Sequence, residues 1–307
     1  MQKLEGHQNI VTSLALSTDG SQLASASSDQ TVYIWNATTG TCQQKLRGHT
    51  QSVNSVTFSP NSHWLASASN DQTVCIWVAE TGQPLWVFEE HKGPVNSVTF
   101  SPNGCFVASA SDDQIVCIWD VEIGKLWKKL RGHTRSVNSV TFSPGGSLLA
   151  SASDDQTVQV WDVETGQVWR KFEGPRGWVM TVTFSPDGHQ LASVLNNGVV
   201  HKWDVEAGKS LPKDDWVAPN MQNQAPHFLD IAGVAESSPR EHLGQSIFLH
   251  QNSICVKQGG MTSHIYWLPD CFKASTPVMQ FKNFVYIGGS HGEIAFVNLD
   301  NFLLPKM

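Results

Sequence analysis

Basic charge is scarce in this chain, as are motifs for a metal, a nucleotide or a membrane. Lysine and arginine number 20 against 27 acidic residues, a formal charge of −7 with a pI near 5.9. General nucleic-acid binding needs a basic face to neutralise phosphates, so this balance argues against it. None of the six cysteines (Cys42, Cys75, Cys105, Cys117, Cys255 and Cys271) stands in a Cys-x-x-Cys pair or another zinc-like spacing. Neither Gly-x-Gly-x-x-Gly nor Gly-x-x-x-x-Gly-Lys-Ser/Thr occurs. No apolar run approaches the ~18 residues of a membrane span, and the opening Met-Gln-Lys-Leu-Glu-Gly-His lacks the apolar core of a secretory leader. The expectation is a reduced, cytoplasmic protein without metal, cofactor, nucleic-acid or membrane partner. Tyrosine is rare as well, at three residues against twelve tryptophans, and a repeat accounts for the imbalance.

What is present is a period of 42 residues. Gly-His stands at Gly6-His7, Gly48-His49 and Gly132-His133; the third copy reads Glu90-His91 and the fifth Gly174-Pro175. A tryptophan follows each His slot by 28 residues, at Trp35, Trp77, Trp119, Trp161 and Trp203. Asp120, Asp162 and Asp204 follow three of them, with Asn36 and Val78 in the first two copies. Inside each copy, alternation such as Val53-Asn54-Ser55-Val56-Thr57-Phe58 predicts a half-buried strand. Turns suited to positive φ follow, as at Asp19-Gly20 and Asn103-Gly104. A small-residue strand (Leu-Ala-Ser-Ala-Ser at 23–27), a Trp-bearing strand and a fourth strand before the next Gly-His complete a unit of four antiparallel strands.

These landmarks resemble the WD40 family, and the resemblance covers roughly residues 1–210. It implies an all-β fold, a ring of four-stranded blades around a channel, used as an assembly platform. The near-identical repeats, and Tyr266-Trp267-Leu268-Pro269-Asp270 near the end, are similar to fungal signalling proteins that join a NACHT nucleotide-binding domain to WD repeats. The expected organisation is one seven-bladed propeller: five regular repeats at 6–210, an irregular insertion at 211–244, and two degenerate blades at 245–307. Gln2-Lys3-Leu4-Glu5 aligns with Gln44-Lys45-Leu46-Arg47, so residues 1–5 can supply the closing outer strand of the last blade. Phe302-Leu303-Leu304 competes for that place.

Each of the first four repeats holds a His, a Ser and an Asp, a set that invites comparison with a hydrolase triad. The sets are His7, Ser25, Asp29 with Trp35; His49, Ser67, Asp71 with Trp77; His91, Ser109, Asp113 with Trp119; and His133, Ser151, Asp155 with Trp161. Four active sites on one small domain are implausible, and no strand-to-helix nucleophile elbow surrounds any of the serines. The resemblance implies instead a structural tetrad running Trp to Ser to His to Asp. Repeat five keeps Ser193 and Trp203 but has Pro175 and Asn197 at the two ends of the set, a paired loss that suits a structural network. The other histidines show no metal-ligand spacing.

The family's rim positions carry over onto the residues flanking the valine that opens each first strand and onto the residue before the tetrad Asp. They are Ile10, Thr12 and Ser28; Ser52, Asn54 and Asn70; Pro94, Asn96 and Asp112; Ser136, Asn138 and Asp154; and Trp178, Met180 and Asn196. Repeats two to four give a polar to acidic arc, and repeat five interrupts it with Trp178 and Met180. Those two could anchor a partner, or Trp178 could cover the place where repeat five lacks its His. The functional expectation is a non-catalytic, monomeric scaffold binding proteins or peptides on its top face, as the ligand-sensing part of a fungal recognition system. A ubiquitin-ligase substrate receptor is the alternative. WD proteins of that class often carry Arg two residues after the Trp-Asp aspartate, where this chain has Glu122, Glu164 and Glu206.

Overall fold

The computed structural model describes residues 2–174, 176–211, 246–250, 253–258, 261–267, 278–281, 284–288 and 294–298. Five sheets of four antiparallel strands follow the five repeats. In the first, Val11–Leu16, Gln22–Ser27, Thr31–Asn36 and Cys42–Arg47 lie in sequence order, each paired with the next. The others run from Val53–Phe58 to Pro84–Phe88, from Val95–Phe100 to Lys125–Arg131, from Val137–Phe142 to Val168–Glu173, and from Val179–Phe184 to Lys209–Ser210. All-β sheets bearing WD-type repeats in this order are consistent with a β-propeller. The fifth sheet's outer strand is only two residues long.

The core lies between sheets, not within one. Ala66, Ala68, Ile76 and Phe88 of repeat two pack with Val95, Val98, Phe100 and Trp119 of repeat three, and the other seams repeat the arrangement. Each repeat therefore buries its apolar face only by docking on a neighbour. The last five residues of the second strand are buried in repeats one to four. With both faces of that strand covered, alanine and serine leave room for the tryptophan of the adjacent strand. Polar bonds stitch the seams as well: the Val56, Val98 and Val140 amides donate to the Ser13, Ser55 and Ser97 hydroxyls of the preceding repeat, at 3.2–3.3 Å.

Beyond repeat five, Ser246–His250, Ser253–Gln258 and Met261–Trp267 form a three-stranded sheet. Val278–Phe281, Phe284–Gly288 and Ile294–Asn298 form another, whose outer strand is Gln2–Leu4 from the opposite end of the chain. Leu4 and Ile294 are both buried and pack with Val11, Leu14, Leu23 and Trp35 of repeat one. Of the insertion expected at 211–244, residues 212–244 lie outside the described residues, as does the competing strand at 302–304.

This pairing sets an expected outcome for truncation. Deleting residues 1–5 removes the buried Leu4 side chain and bares the edge of Ile294–Asn298. It should cost at least about 1.5–3 kcal/mol from the leucine alone, read as a lower thermal midpoint with increased association. An unchanged midpoint would mean that another segment fills that edge.

Candidate functional site

The geometry of the His-Ser-Asp-Trp sets follows from register. Ser67 in the second strand lies opposite Cys75, two residues before Trp77, while the turn before the third strand carries Asp71 back towards His49. The Trp77 indole donates to Ser67 Oγ at 2.8 Å, Ser67 Oγ lies 2.7 Å from His49 Nε2, and His49 Nδ1 lies 2.9 Å from Asp71. An indole N–H can only donate and a carboxylate can only accept, so Nδ1 carries a proton toward Asp71. The Ser67 contact holds in either protonation state: the hydroxyl donates to a neutral ring, or an imidazolium donates to the hydroxyl. Repeats one, three and four repeat the chain, with Trp–Ser distances of 2.8–2.9 Å, Ser–His of 2.7 Å and His–Asp of 2.8–3.0 Å.

Each tetrad Asp does more than hold the ring. Asp71 also accepts from the Thr50 amide, the Thr73 amide and the Thr73 hydroxyl, the last at 2.6 Å. Burial pushes these carboxyls up, but the bonds from His, Thr and backbone outweigh it and hold Asp29, Asp71 and Asp155 well below the usual carboxylate range. Asp113, with Ile115 where the others have threonine, is lowered as well. The His49 ring, which burial alone would lower, is raised to about 9 by Asp71 and Cys75. These bonds also fix the turn. Gln30, Gln72, Gln114 and Gln156, each following its Asp, have φ of 71–74°, a region that favours glycine. Repeat five, with Asn197 in place of Asp, has Gly198 there at φ 79°.

The tetrad serines are inaccessible. Ser25, Ser67, Ser109 and Ser151 are 0% exposed, each lying between an indole and an imidazole. No substrate carbonyl can approach a hydroxyl so placed, and the set acts as a packing device. In repeat five the Trp203–Ser193 bond persists at 3.0 Å. Asn197 is exposed and, among the described residues, accepts locally from the Val199 amide at 3.1 Å; Pro175 lies outside the described residues.

The rim is built by a β-bulge. In all five repeats the register of the first and second strands slips at the residue after the opening valine. The extra residue is Thr12, Asn54, Asn96, Asn138 or Met180, and a bulged residue is re-aimed away from the ladder. The asparagine amides are engaged within the protein. Asn54 donates to Asn70 at 2.6 Å and across the seam to the Val95 carbonyl at 2.9 Å. Asn96 donates to Asp112 and to the Val137 carbonyl, and Asn138 to Asp154 and the Val179 carbonyl. Thr12 makes the matching bond to the Val53 carbonyl. These four side chains therefore staple adjacent sheets, a role the sequence alone does not reveal because each donor and its carbonyl lie 41 residues apart. What the arc turns outward is acceptor capacity, above all the exposed Asp112 carboxylate. Met180 cannot donate, so the ladder of staples stops at repeat five.

Trp178 differs from every repeat tryptophan. It is 47% exposed, whereas Trp35, Trp77, Trp119, Trp161 and Trp203 are 6% or less. Ile10 is the other large apolar side chain exposed at these rim positions. The model of the WD domain, G-beta repeat family matches residues 1–36, 40–78, 82–120, 124–162 and 166–204. No curated protein matches the chain.

Proposed function

The chain belongs to the WD40 repeat family, whose repeats generally mediate protein–protein interaction and whose members are typically non-catalytic scaffolds, and we propose that it is itself a non-catalytic, seven-bladed scaffold that captures a protein or peptide on the rim. Six four-stranded sheets and one of three strands among the described residues support the blade count. The observation that carries the binding surface is Trp178, which is 47% exposed at a rim position. An exposed indole next to a thioether supplies an anchor. The acceptors of Asp112 and Asp154 suit a donor-rich segment beside it. Within this class we propose the ligand-sensing part of a fungal signalling protein, a reading supported by the near-identity of repeats two to four. An in-frame nucleotide-binding domain upstream in the gene would test that assignment. Glu122, Glu164 and Glu206 stand against a ubiquitin-ligase receptor.

The test of the rim is a Trp178→Ala/Met180→Ala double variant, titrated with a partner captured by the wild-type chain. It should lose at least ~2 kcal/mol of binding while its denaturation curve stays in place. Lower stability with intact affinity would reject the anchor and make Trp178 a cover for repeat five.

A further inference from the structure

Repeat five keeps the strand order of its predecessors but loses much of what braces them. The ends of its tetrad are Pro175 and Asn197. Asp71 of repeat two gathers four donors, whereas Asn197 accepts from the Val199 amide. Three further observations fall on the distal half of the repeat. Lys202 stands where repeats one to four have Ile34, Ile76, Ile118 and Val160, all 0% exposed. Val200, His201 and Lys202 are partly buried, while the three matching residues are buried in each of the earlier repeats. The outer strand Lys209–Ser210 pairs at two residues, Trp203 with Ser210 and Asp204 with Lys209, against four to six in repeats one to four.

The proximal half is docked as in the other repeats. Asn138 donates to the Val179 carbonyl at 2.9 Å and the Val182 amide to Ser139 Oγ at 3.4 Å. Val179, Val182, Phe184 and Leu191 pack in one core with Val160 and Phe172 of repeat four. Val179–Phe184 and Gln190–Leu195 are therefore held from outside the repeat. Val200–Asp204 and Lys209–Ser210 depend on the ladder to Gln190–Leu195 and on Trp203, which bonds Ser193 at 3.0 Å and lies 5.1 Å from the Phe172 ring. At 6% exposed, Trp203 is the least buried of the five repeat tryptophans. A segment with less buried apolar surface and a shortened ladder opens at a lower free energy than the whole fold.

We propose that repeat five is a conformational switch: residues 196–210 open and close as a unit while repeats one to four stay folded. The turn that opens is tied to the rim, because the Asn196 amide donates to the Trp178 carbonyl at 2.9 Å. One consequence rests on the rim reading of Trp178: an occupant of that anchor selects the closed form. The opening itself rests on packing and strand pairing alone.

Native-state hydrogen exchange of the full chain, read by mass spectrometry, tests the opening without any ligand. Protection factors over Val200–Asp204 should lie at least about tenfold below those over Val74–Val78 and Thr157–Asp162, a difference of about 1.4 kcal/mol. Pro175→His/Asn197→Asp/Lys202→Ile, which carries the repeat-two residues into repeat five, should close most of that gap. Should this variant fail to fold, Asp113→Asn/Gln114→Gly carries the Asn-Gly turn of repeat five into repeat three. It should lower protection over Ile115–Asp120 relative to repeats two and four. Protection that is uniform across the five repeats, or a pattern that the folded transplant leaves unchanged, would overturn the proposal. Either result leaves the Trp178 anchor to be judged by its own double variant.

Discussion

Trp77→Ala is expected to lower stability by about 3–5 kcal/mol, and Trp178→Ala by less than about 0.5 kcal/mol. Both are tryptophans of the same chain, and what separates them is the work each ring does. Trp77 is 2% exposed, packs in the core shared by repeats one and two, and donates to Ser67. Its removal leaves a cavity where neighbouring sheets meet and withdraws the donor on which Ser67 rests. Trp178 is nearly half exposed, so truncation there opens a gap to solvent and not a closed cavity. Urea denaturation of the two variants reads the difference directly, and a large loss at Trp178 would show its ring to be part of the packing.

Asp71→Ala should cost about 1–3 kcal/mol, because four donors lose one acceptor. His49 Nδ1, the Thr50 amide and the Thr73 amide and hydroxyl all bond this carboxylate at 2.6–3.0 Å. The Gln72 turn at φ 74° loses the bonds that hold it. The pH dependence has a fixed sign. The folded-state pKa of Asp71 is depressed, so its stabilisation is fully present above the unfolded value of about 3.9. It is lost as pH falls from there through the folded value. Asp29 and Asp155 behave alike. Wild-type urea midpoints should therefore fall on acidification below about pH 4, and Asp71→Ala should show a smaller fall over the same range. An identical acid profile in both proteins would contradict the electrostatic part of the argument.

The repeat was legible because loops of constant length keep Trp35, Trp77, Trp119, Trp161 and Trp203 at one spacing. Strand alternation and turn glycines then follow from local rules. Contacts between repeats were not legible. The staples from Thr12, Asn54, Asn96 and Asn138 depend on a bulge and on a carbonyl in the next sheet, and neither leaves a mark in local sequence. Gln30, Gln72, Gln114 and Gln156 occupy positive φ without a glycine to announce it; only Gly198 in repeat five hints at the requirement. The threonine partners of the tetrad aspartates were in plain view, in the Asp-Gln-Thr of repeats one, two and four. A polar-capping rule applied to that turn would have found them. The exposure of Leu85, Val87, Trp127, Val168 and Trp169 on the outer strands of repeats two to four was not legible, because periodicity reports which face a residue takes, not how much of that face a neighbouring sheet covers.

The central claim is that the recurring His, Ser, Asp and Trp form a stability network, eroded at both ends in repeat five. Equilibrium denaturation of Asp71→Ala and Asn197→Ala, side by side at neutral pH, tests it most directly. Asp71 carries four bonds into a buried network, while Asn197 is exposed and caps only its own turn. The account predicts a loss of about 1–3 kcal/mol at Asp71 and less than about 0.5 kcal/mol at Asn197. Equal losses at the two positions would contradict it.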